Sequence, residues 1–353
     1  MDFSWSEEQL AFKQKVIDFA QNTLDSSDII ERDYSGKFSW ENWKKCADFG
    51  IQGMCMPEEY SGSPALDIMT AVLGMEAVGY GCKDNGLTLA LNAQMWTVQI
   101  LLSQFGSPEQ KQKYLPKLCN GEWIGVHALS EPDSGSDVYS LKTSATKCEG
   151  GYILNGRKKF VTCAPICNMA LVFATLDARL APVGEVFCED WFVPEEIRLG
   201  PEGAGFSFSH SSLEYDRCFN LASELGAMER QLERTIDYAN SREQYGQPIG
   251  KFQSVSNRVA DMKLRLETAR LLLYKVAWLK EKGEPAMLEA AMLKLHLSEC
   301  YVASGLDAVR IHGGNGYLTE HGVERDFRDS VGGVIYAGTS DIQRNIIARS
   351  LGL

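Results

Sequence analysis

Hydrophobic positions recur at roughly helical spacing through the first 120 or so residues. Ser6-Glu7-Glu8-Gln9 reads as a capping box, and Leu10, Phe12, Val16, Ile17, Phe19, Ala20 and Leu24 follow it. Leu66–Gly79 and Leu87–Leu102 are apolar enough to be internal helices of a bundle. Ser107-Pro108-Glu109-Gln110 opens another helix, with Pro at its first position. From about Trp123 the texture changes to short strand-like runs. Gly150-Gly151 with Tyr152–Gly156, Met169–Thr175 and Val183–Cys188 are the candidates, separated by Gly and Pro. From Phe206 the helical period returns: Phe252–Lys282, Met287–Ile311 and Ser340–Ser350, the last with Ile342, Ile346 and Ile347 on one face. The pattern predicts an α+β chain: helices over 1–122, a small β domain over 123–205 and a helical block over 206–353.

Composition narrows the function. A length of 353 residues favours two or three packed subdomains, and 44% apolar with 23% charged residues is the balance of a globular chain. The net charge of -12 disfavours a binder that neutralises nucleic-acid phosphates. No run approaches the ~18 apolar residues of a membrane span, and the start Met1–Glu8 is acidic and polar, unlike a signal peptide. A cytoplasmic protein is expected. The ten cysteines are scattered, and the C-x3-C pair Cys163 and Cys167 has no second pair or partnering His. The five histidines show no ligand spacing, so no metal centre is expected.

Four segments concentrate small and polar residues between elements. Leu129–Asp137 (Leu-Ser-Glu-Pro-Asp-Ser-Gly-Ser-Asp) offers hydroxyls and amides for a phosphate, or is an ordinary surface turn. In Lys158-Lys159-Phe160-Val161-Thr162, Phe160 and Thr162 would face the same way on a strand, as a planar ligand requires. Ile311–Gly316 is a Gly-rich break, either a helix C-cap or a close approach to a cofactor. Ala337-Gly338-Thr339-Ser340-Asp341 enters the last helix, where Thr339 is a candidate cap and the amides a candidate anion site.

In their order and spacing these segments resemble the acyl-CoA dehydrogenase family of flavoproteins. The resemblance covers nearly the whole chain. It rests on Leu129–Asp137, Leu154–Thr162, Arg242-Glu243-Gln244-Tyr245-Gly246 with Phe252-Gln253, Ile311–Gly316 and Ile335–Arg344. It implies an N-terminal helical domain, a middle β domain and a C-terminal four-helix bundle, with FAD as cofactor and a homotetramer as the working assembly. By the same resemblance, Leu129 and Ser130 would lie along the flavin edge, Ser136 towards the pyrophosphate, and Phe160 and Thr162 at the isoalloxazine. Arg242, Tyr245 and Gln253 would reach the pyrophosphate and adenine end from a neighbouring subunit, with Arg310, Gly313 and Gly314 passing close by. Thr339 and Asp341 would serve the adenosine.

Two departures from the family pattern matter. Many members place the proton-abstracting Glu immediately before Gly-Thr of the Ile-Tyr-x-Gly-Thr motif, and here that residue is Ala337. Other branches place the base on another helix before an Arg; Asp216 precedes Arg217 here, and Glu214 stands two residues earlier. Asp216 is the first candidate and Glu214 the second, with simple pairing to Arg217 or solvent as the plain alternative. Arg217 and the Ala337 amide are the implied substrate contacts. The second departure is that the β region falls about thirty residues short between Thr175 and Val183–Cys188. Loss of core strands would expose apolar edges, so a stretch missing from the numbered sequence is the favoured explanation.

In wording, Glu131–Asp137, Cys148–Gly156, Phe252–Arg258 with Asp261–Glu267, and Ile346–Leu353 resemble prolyl-carrier-protein dehydrogenases and oxidases of the anatoxin-a and pyrrole pathway type. This implies FAD-dependent oxidation of an L-prolyl thioester, with an acyl or peptidyl carrier protein as partner. A short or branched-chain acyl-CoA dehydrogenase is the alternative enzyme, and a catalytically silent scaffold the alternative of another class. The acidic composition is an obstacle to docking a carrier protein that is itself usually acidic, unless a local basic patch meets it.

Overall fold

The computed structural model describes residues 4–176 and 186–353. The N-terminal helices are α1 (Glu7–Thr23), α2 (Ile29–Ser35), α3 (Trp40–Phe49), α4 (Glu58–Ser61), α5 (Ile68–Gly81), α6 (Asn85–Ala93), α7 (Ile100–Phe105) and α8 (Pro108–Cys119). Strands follow: β1 (Gly125–Ala128), β2 (Ser144–Cys148), β3 (Gly151–Lys158), β4 (Met169–Val172) and β5 (Val186–Pro194). The chain then returns to helix in α9 (Gly205–Phe219) and α10 (Ala222–Ser241). A hairpin of β6 (Glu243–Gln244) and β7 (Gln247–Pro248) comes next. The last helices are α11 (Gln253–Glu281), α12 (Met287–His312), α13 (Gly314–Tyr317), α14 (Val323–Gly333) and α15 (Ser340–Ser350). The α+β expectation holds. Both capping boxes form: Ser6 and Gln9 exchange bonds at 3.1 Å, and Ser107 and Gln110 at 3.2 and 3.0 Å.

The chain forms two compact units. One, Met1–Lys45, Asp67–Leu89 and Arg217–Leu353, is helical apart from the β6–β7 hairpin and draws on both ends of the sequence. Its tightest crossing is that of α5 over α10. A Cβ on Gly226 would stand 1.9 Å from the Glu76 carbonyl oxygen, and one on Gly79 1.9 Å from that of Ser223. Two glycines therefore let the backbones touch. Beside this crossing Glu76 is fully buried, accepting from Lys13 of α1 at 3.0 Å and Arg270 of α11 at 3.2 Å. Arg270 also pairs with Glu229 of α10 at 2.8 Å. One charge cluster so joins four helices, its desolvation offset by mutual pairing.

The other unit, Cys46–Leu66 and Ala90–Asp216, carries the sheets. β1 and β4 pair in parallel, and β2–β3–β5 is antiparallel. A buried π-helical stretch, Gln94–Gln99, joins α6 to α7. Its Gln94 side chain donates to the Leu118 carbonyl at 3.0 Å and accepts from the Gly125 amide at 2.9 Å, fixing where β1 starts. Among the described residues β1 is the only strand that β4 pairs with. A cavity of about 530 Å³ runs along Met169–Ala174, walled by Trp123, Trp191 and Val193.

Sequence reasoning placed α5, α11, α12 and α15 to within about two residues but missed β1 and β2, which are too short for a visible period. Residues 183–185 of the expected strand Val183–Cys188 lie outside the described residues. One expectation fails. Phe160 and Thr162 do not share a strand face, because β3 ends at Lys158 and Phe160 turns into the left-handed region at φ 58°. Gly226→Ala tests the helix crossing. It should lower stability by about 1–3 kcal/mol, read as a reduced urea midpoint, whereas Gly205→Ala, where nothing lies within 4 Å and φ is not positive, should cost less.

Candidate active site

The loop Leu129–Asp137 leaves β1 and is tied down from inside. Glu131 is 4% exposed and Lys158, at the end of β3, is fully buried; they pair at 2.7 Å. Lys158 Nζ also donates to the Leu129 carbonyl at 3.0 Å, and the Glu131 carboxylate accepts the amides of Lys142 and Thr143 at 2.6 and 2.9 Å. Burial pushes the Glu131 carboxyl up, but Lys158, Thr143 and the two amides outweigh it and hold it below its ordinary value. Glu131 and Ser134 exchange backbone bonds, closing a tight turn, and Ser136 is exposed two residues beyond it. The Ser130 carbonyl accepts from the Lys159 amide at 2.9 Å, which brings the loop against the start of the Phe160 segment. Phe160 is 82% exposed, with Lys159 Nζ 5.0 Å from its ring centre, and Thr162 is exposed beyond it. Ser130 and the Phe160 turn therefore lie together, with Leu129 buried just before them at 6% exposure. Glu131 and Lys158, which organise it, were visible within the motifs but not as a pair.

Next to this surface His127 of β1 is held neutral: burial and the Lys158 charge push it down to about 4. Its Nε2 lies 3.2 Å from Ser212 Oγ on α9. The candidate bases are on the same helix. Glu214 and Asp216 are both half-buried. At about 100° per residue, two positions apart points them in nearly opposite directions, so one cannot stand in for the other. Four residues before Asp216 is fully buried Ser212, and four residues after it is Asn220, 5% exposed. The position four before Glu214 is exposed His210. Four residues after Glu214 stands Cys218, 0% exposed, so both sides of the helix end meet buried neighbours.

In the helical unit, Arg217 is 8% exposed and its Nε donates to the Ala337 carbonyl at 3.4 Å. Ala337 is left-handed at φ 53°, and its carbonyl also accepts from Gln343 Nε2 at 3.1 Å. Thr339 caps α15 by accepting the Ile342 amide at 3.3 Å, and Asp341 pairs with Arg344 at 2.9 Å. The β6–β7 hairpin turns on Tyr245 and Gly246, both with positive φ, as a two-residue turn of this hand requires. Tyr245 is 95% exposed, and Arg242 and Gln253 are exposed beside it in sequence. Arg310 is exposed, paired with Asp307 at 3.4 Å, and Gly313 and Gly314 are exposed where α12 ends. The implied cofactor residues thus fall in two sets, one in each unit. All ten cysteines are free thiols, and among the described residues no cluster suits a metal.

Lys158→Met tests the internal tie. It strands a buried carboxylate and should cost about 3–5 kcal/mol, measured by urea unfolding. In the wild type, the depressed Glu131 carboxyl contributes stability that is complete above its ordinary value of 4.5 and lost as pH falls below it. A Glu131→Gln variant should show a shallower acid limb in its stability profile.

Comparison with known proteins agrees with this geometry. The family model "Acyl-CoA dehydrogenase, N-terminal domain" matches residues 6–122, the middle-domain model 127–188 and the C-terminal-domain model 203–352. An L-prolyl-[peptidyl-carrier protein] dehydrogenase of Pseudomonas fluorescens is 40% identical over 384 aligned positions, covering all of both chains. Since this chain has 353 residues, about thirty of those positions have no counterpart in it. The crystal structure of the prolyl acyl carrier protein oxidase AnaB is 44% identical and superposes with a TM-score of 0.94, covering 99% of this chain and 100% of that one. PigA with FAD and proline gives 38% identity and a TM-score of 0.94, with complete coverage of both. The chain belongs to the acyl-CoA dehydrogenase family.

Proposed function

We propose that this protein is an FAD-dependent dehydrogenase or oxidase of a carrier-protein-bound aminoacyl thioester, with L-prolyl as the acyl group and natural-product biosynthesis as its setting. The observation that carries the reading is local. Ala337 occupies the place where other members carry their base, and its carbonyl is held by Arg217, the residue that follows Asp216. The carboxylate has changed helix.

Leu129, Ser130, Ser136, Phe160 and Thr162 would hold the flavin and pyrophosphate, and Arg242, Tyr245 and Gln253 of a neighbouring subunit, with Arg310, Gly313 and Gly314 passing close by and Thr339 and Asp341 at the adenosine, would hold the rest of FAD. They suit it. Phe160 and Tyr245 are aromatic rings presented to solvent from left-handed backbone, a conformation non-glycine residues adopt only at a cost. Arg242 adds an exposed cation for a pyrophosphate. Bound FAD supplies the two-electron acceptor. Asp216 takes the α-proton, which the thioester carbonyl has made acidic, and the Ala337 amide and Arg217 position that carbonyl. Asp216 is the first candidate because it directly precedes Arg217, and Glu214, on the opposite side of α9, is the second. A homotetramer in the cytoplasm completes the reading. No described helix is long and apolar enough to cross a membrane.

Purified protein should carry the yellow FAD spectrum, and anaerobic prolyl-carrier protein should bleach it. Asp216→Asn should keep the flavin and slow bleaching by about 10²–10⁴-fold, while Glu214→Gln should change it little. A colourless protein, or bleaching by acyl-CoA esters alone, would sink the proposal; the second result would favour the short or branched-chain acyl-CoA reading.

A further inference from the structure

The helix that carries the candidate bases and the strand that leads into the Leu129–Asp137 loop are tied by a hydrogen bond between side chains. His127 of β1 places Nε2 3.2 Å from Ser212 Oγ of α9. Ser212 is 0% exposed, and its hydroxyl donates to the Ser209 carbonyl at 3.1 Å. Only the lone pairs of that oxygen are left for His127, so the imidazole donates from Nε2. The ring also packs on Phe173, 4.9 Å between centres. The bond spans 85 residues of sequence, yet both partners belong to one compact unit. Two further ties hold the first half of α9. Phe208 stacks on Phe105 at 4.0 Å, and Ser211 Oγ donates to Gln104 Oε1 at 3.0 Å. Both anchor the helix to α7, whereas the His127 bond anchors it to β1.

The bond sits where the reacting groups are carried. Asp216 is four residues beyond Ser212, about 6 Å along the axis and on the same face of the helix. Leu129 and Ser130 are two and three residues beyond His127, within about 10 Å along an extended chain. The proton acceptor and the residues at the flavin edge thus stand on short arms from the same point. Misplacing such groups by about 1 Å can cost about 10²-fold in rate.

We propose that His127 and Ser212 are positioning residues for flavin reduction, their hydrogen bond fixing where the Asp216 carboxylate stands relative to the flavin edge. This role rests on the function proposed above. Neither residue gains or loses a proton in the step; each acts through the element it holds. The low value of His127, about 4, keeps the ring neutral and the bond unchanged at neutral pH.

Anaerobic stopped-flow reduction of the FAD-loaded protein by prolyl-carrier protein tests this. His127→Phe removes the donor and Ser212→Ala the acceptor; His127→Gln and Ser212→Thr keep them. Each deletion should lower the limiting rate of flavin reduction about tenfold or more and leave the half-saturating substrate concentration unchanged. The Gln and Thr variants should recover most of the rate, and the double deletion should be no slower than the slower single one. Ser207→Ala, which removes a hydroxyl bonded to the Ala204 carbonyl on the same helix, should leave the rate unchanged. Hydrogen exchange reads the tie without turnover: amides over 213–216 should lose protection in both deletions and keep it in the Gln and Thr variants. Unchanged rate and exchange in Ser212→Ala, or effects of the two deletions that multiply, overturn the proposal. If His127→Phe does not fold, Ser212→Ala against Ser207→Ala decides. A wild type reduced by prolyl-carrier protein no faster than Ser212→Ala removes the positioning role and leaves the function. A wild type that this substrate does not reduce removes the function, and the exchange result then decides the tie.

Discussion

A buried ion pair governs the surface on which the proposed chemistry depends. Glu131 and Lys158 are 27 residues apart, and each is held by backbone as well as by the other: Lys158 by the Leu129 carbonyl, Glu131 by two amides. An isolated charge in that position would be strongly unfavourable; paired and fully hydrogen-bonded, it becomes a fixed point. From it the loop runs out to Ser136 on one side, and β3 gives way to the Phe160 turn on the other. Burial, with the Lys158 charge behind it, keeps His127 neutral, so no second cation competes beside the loop.

The helical unit solves a different problem by similar means. Its elements come from three separated stretches of sequence, so sequence-local forces alone do not assemble it. Gly79 and Gly226 bring two backbones into contact, and Glu76 gathers cations from α1 and α11 around that crossing. Burial of Leu73, Val72, Leu225 and Leu273, all at 0% exposure, supplies the apolar driving force that pairing of charges does not. Arg217 and Asn220, which follow Asp216 in sequence, belong to this unit.

Much of this was legible in the sequence, and what was not has a physical reason. Ser6 and Ser107 announced their helices because a capping box is a contact over three residues. The long helices showed their period, and five motifs in order showed the family. Phe160 was misread as a strand residue, since nothing in Lys-Lys-Phe-Val-Thr signals a left-handed turn at an aromatic position. The bond between His127 and Ser212 was invisible for a deeper reason. They stand 85 residues apart, one in a strand and one in a helix, and each alone reads as an ordinary residue of its element. Only packing makes them neighbours.

The apolar cavity beside β4 has a bearing on how the protein behaves among copies of itself. Trp191, 46% exposed, stands in its wall with Trp123 and Val193, so apolar surface is presented to solvent there. The net charge of -12 opposes encounters through such a patch. That repulsion is screened beyond about 8–10 Å at physiological salt, whereas apolar attraction is not. Colloidal stability of this chain is thus set by a balance between long-range charge and a short-range adhesive patch, and rising ionic strength moves it towards adhesion.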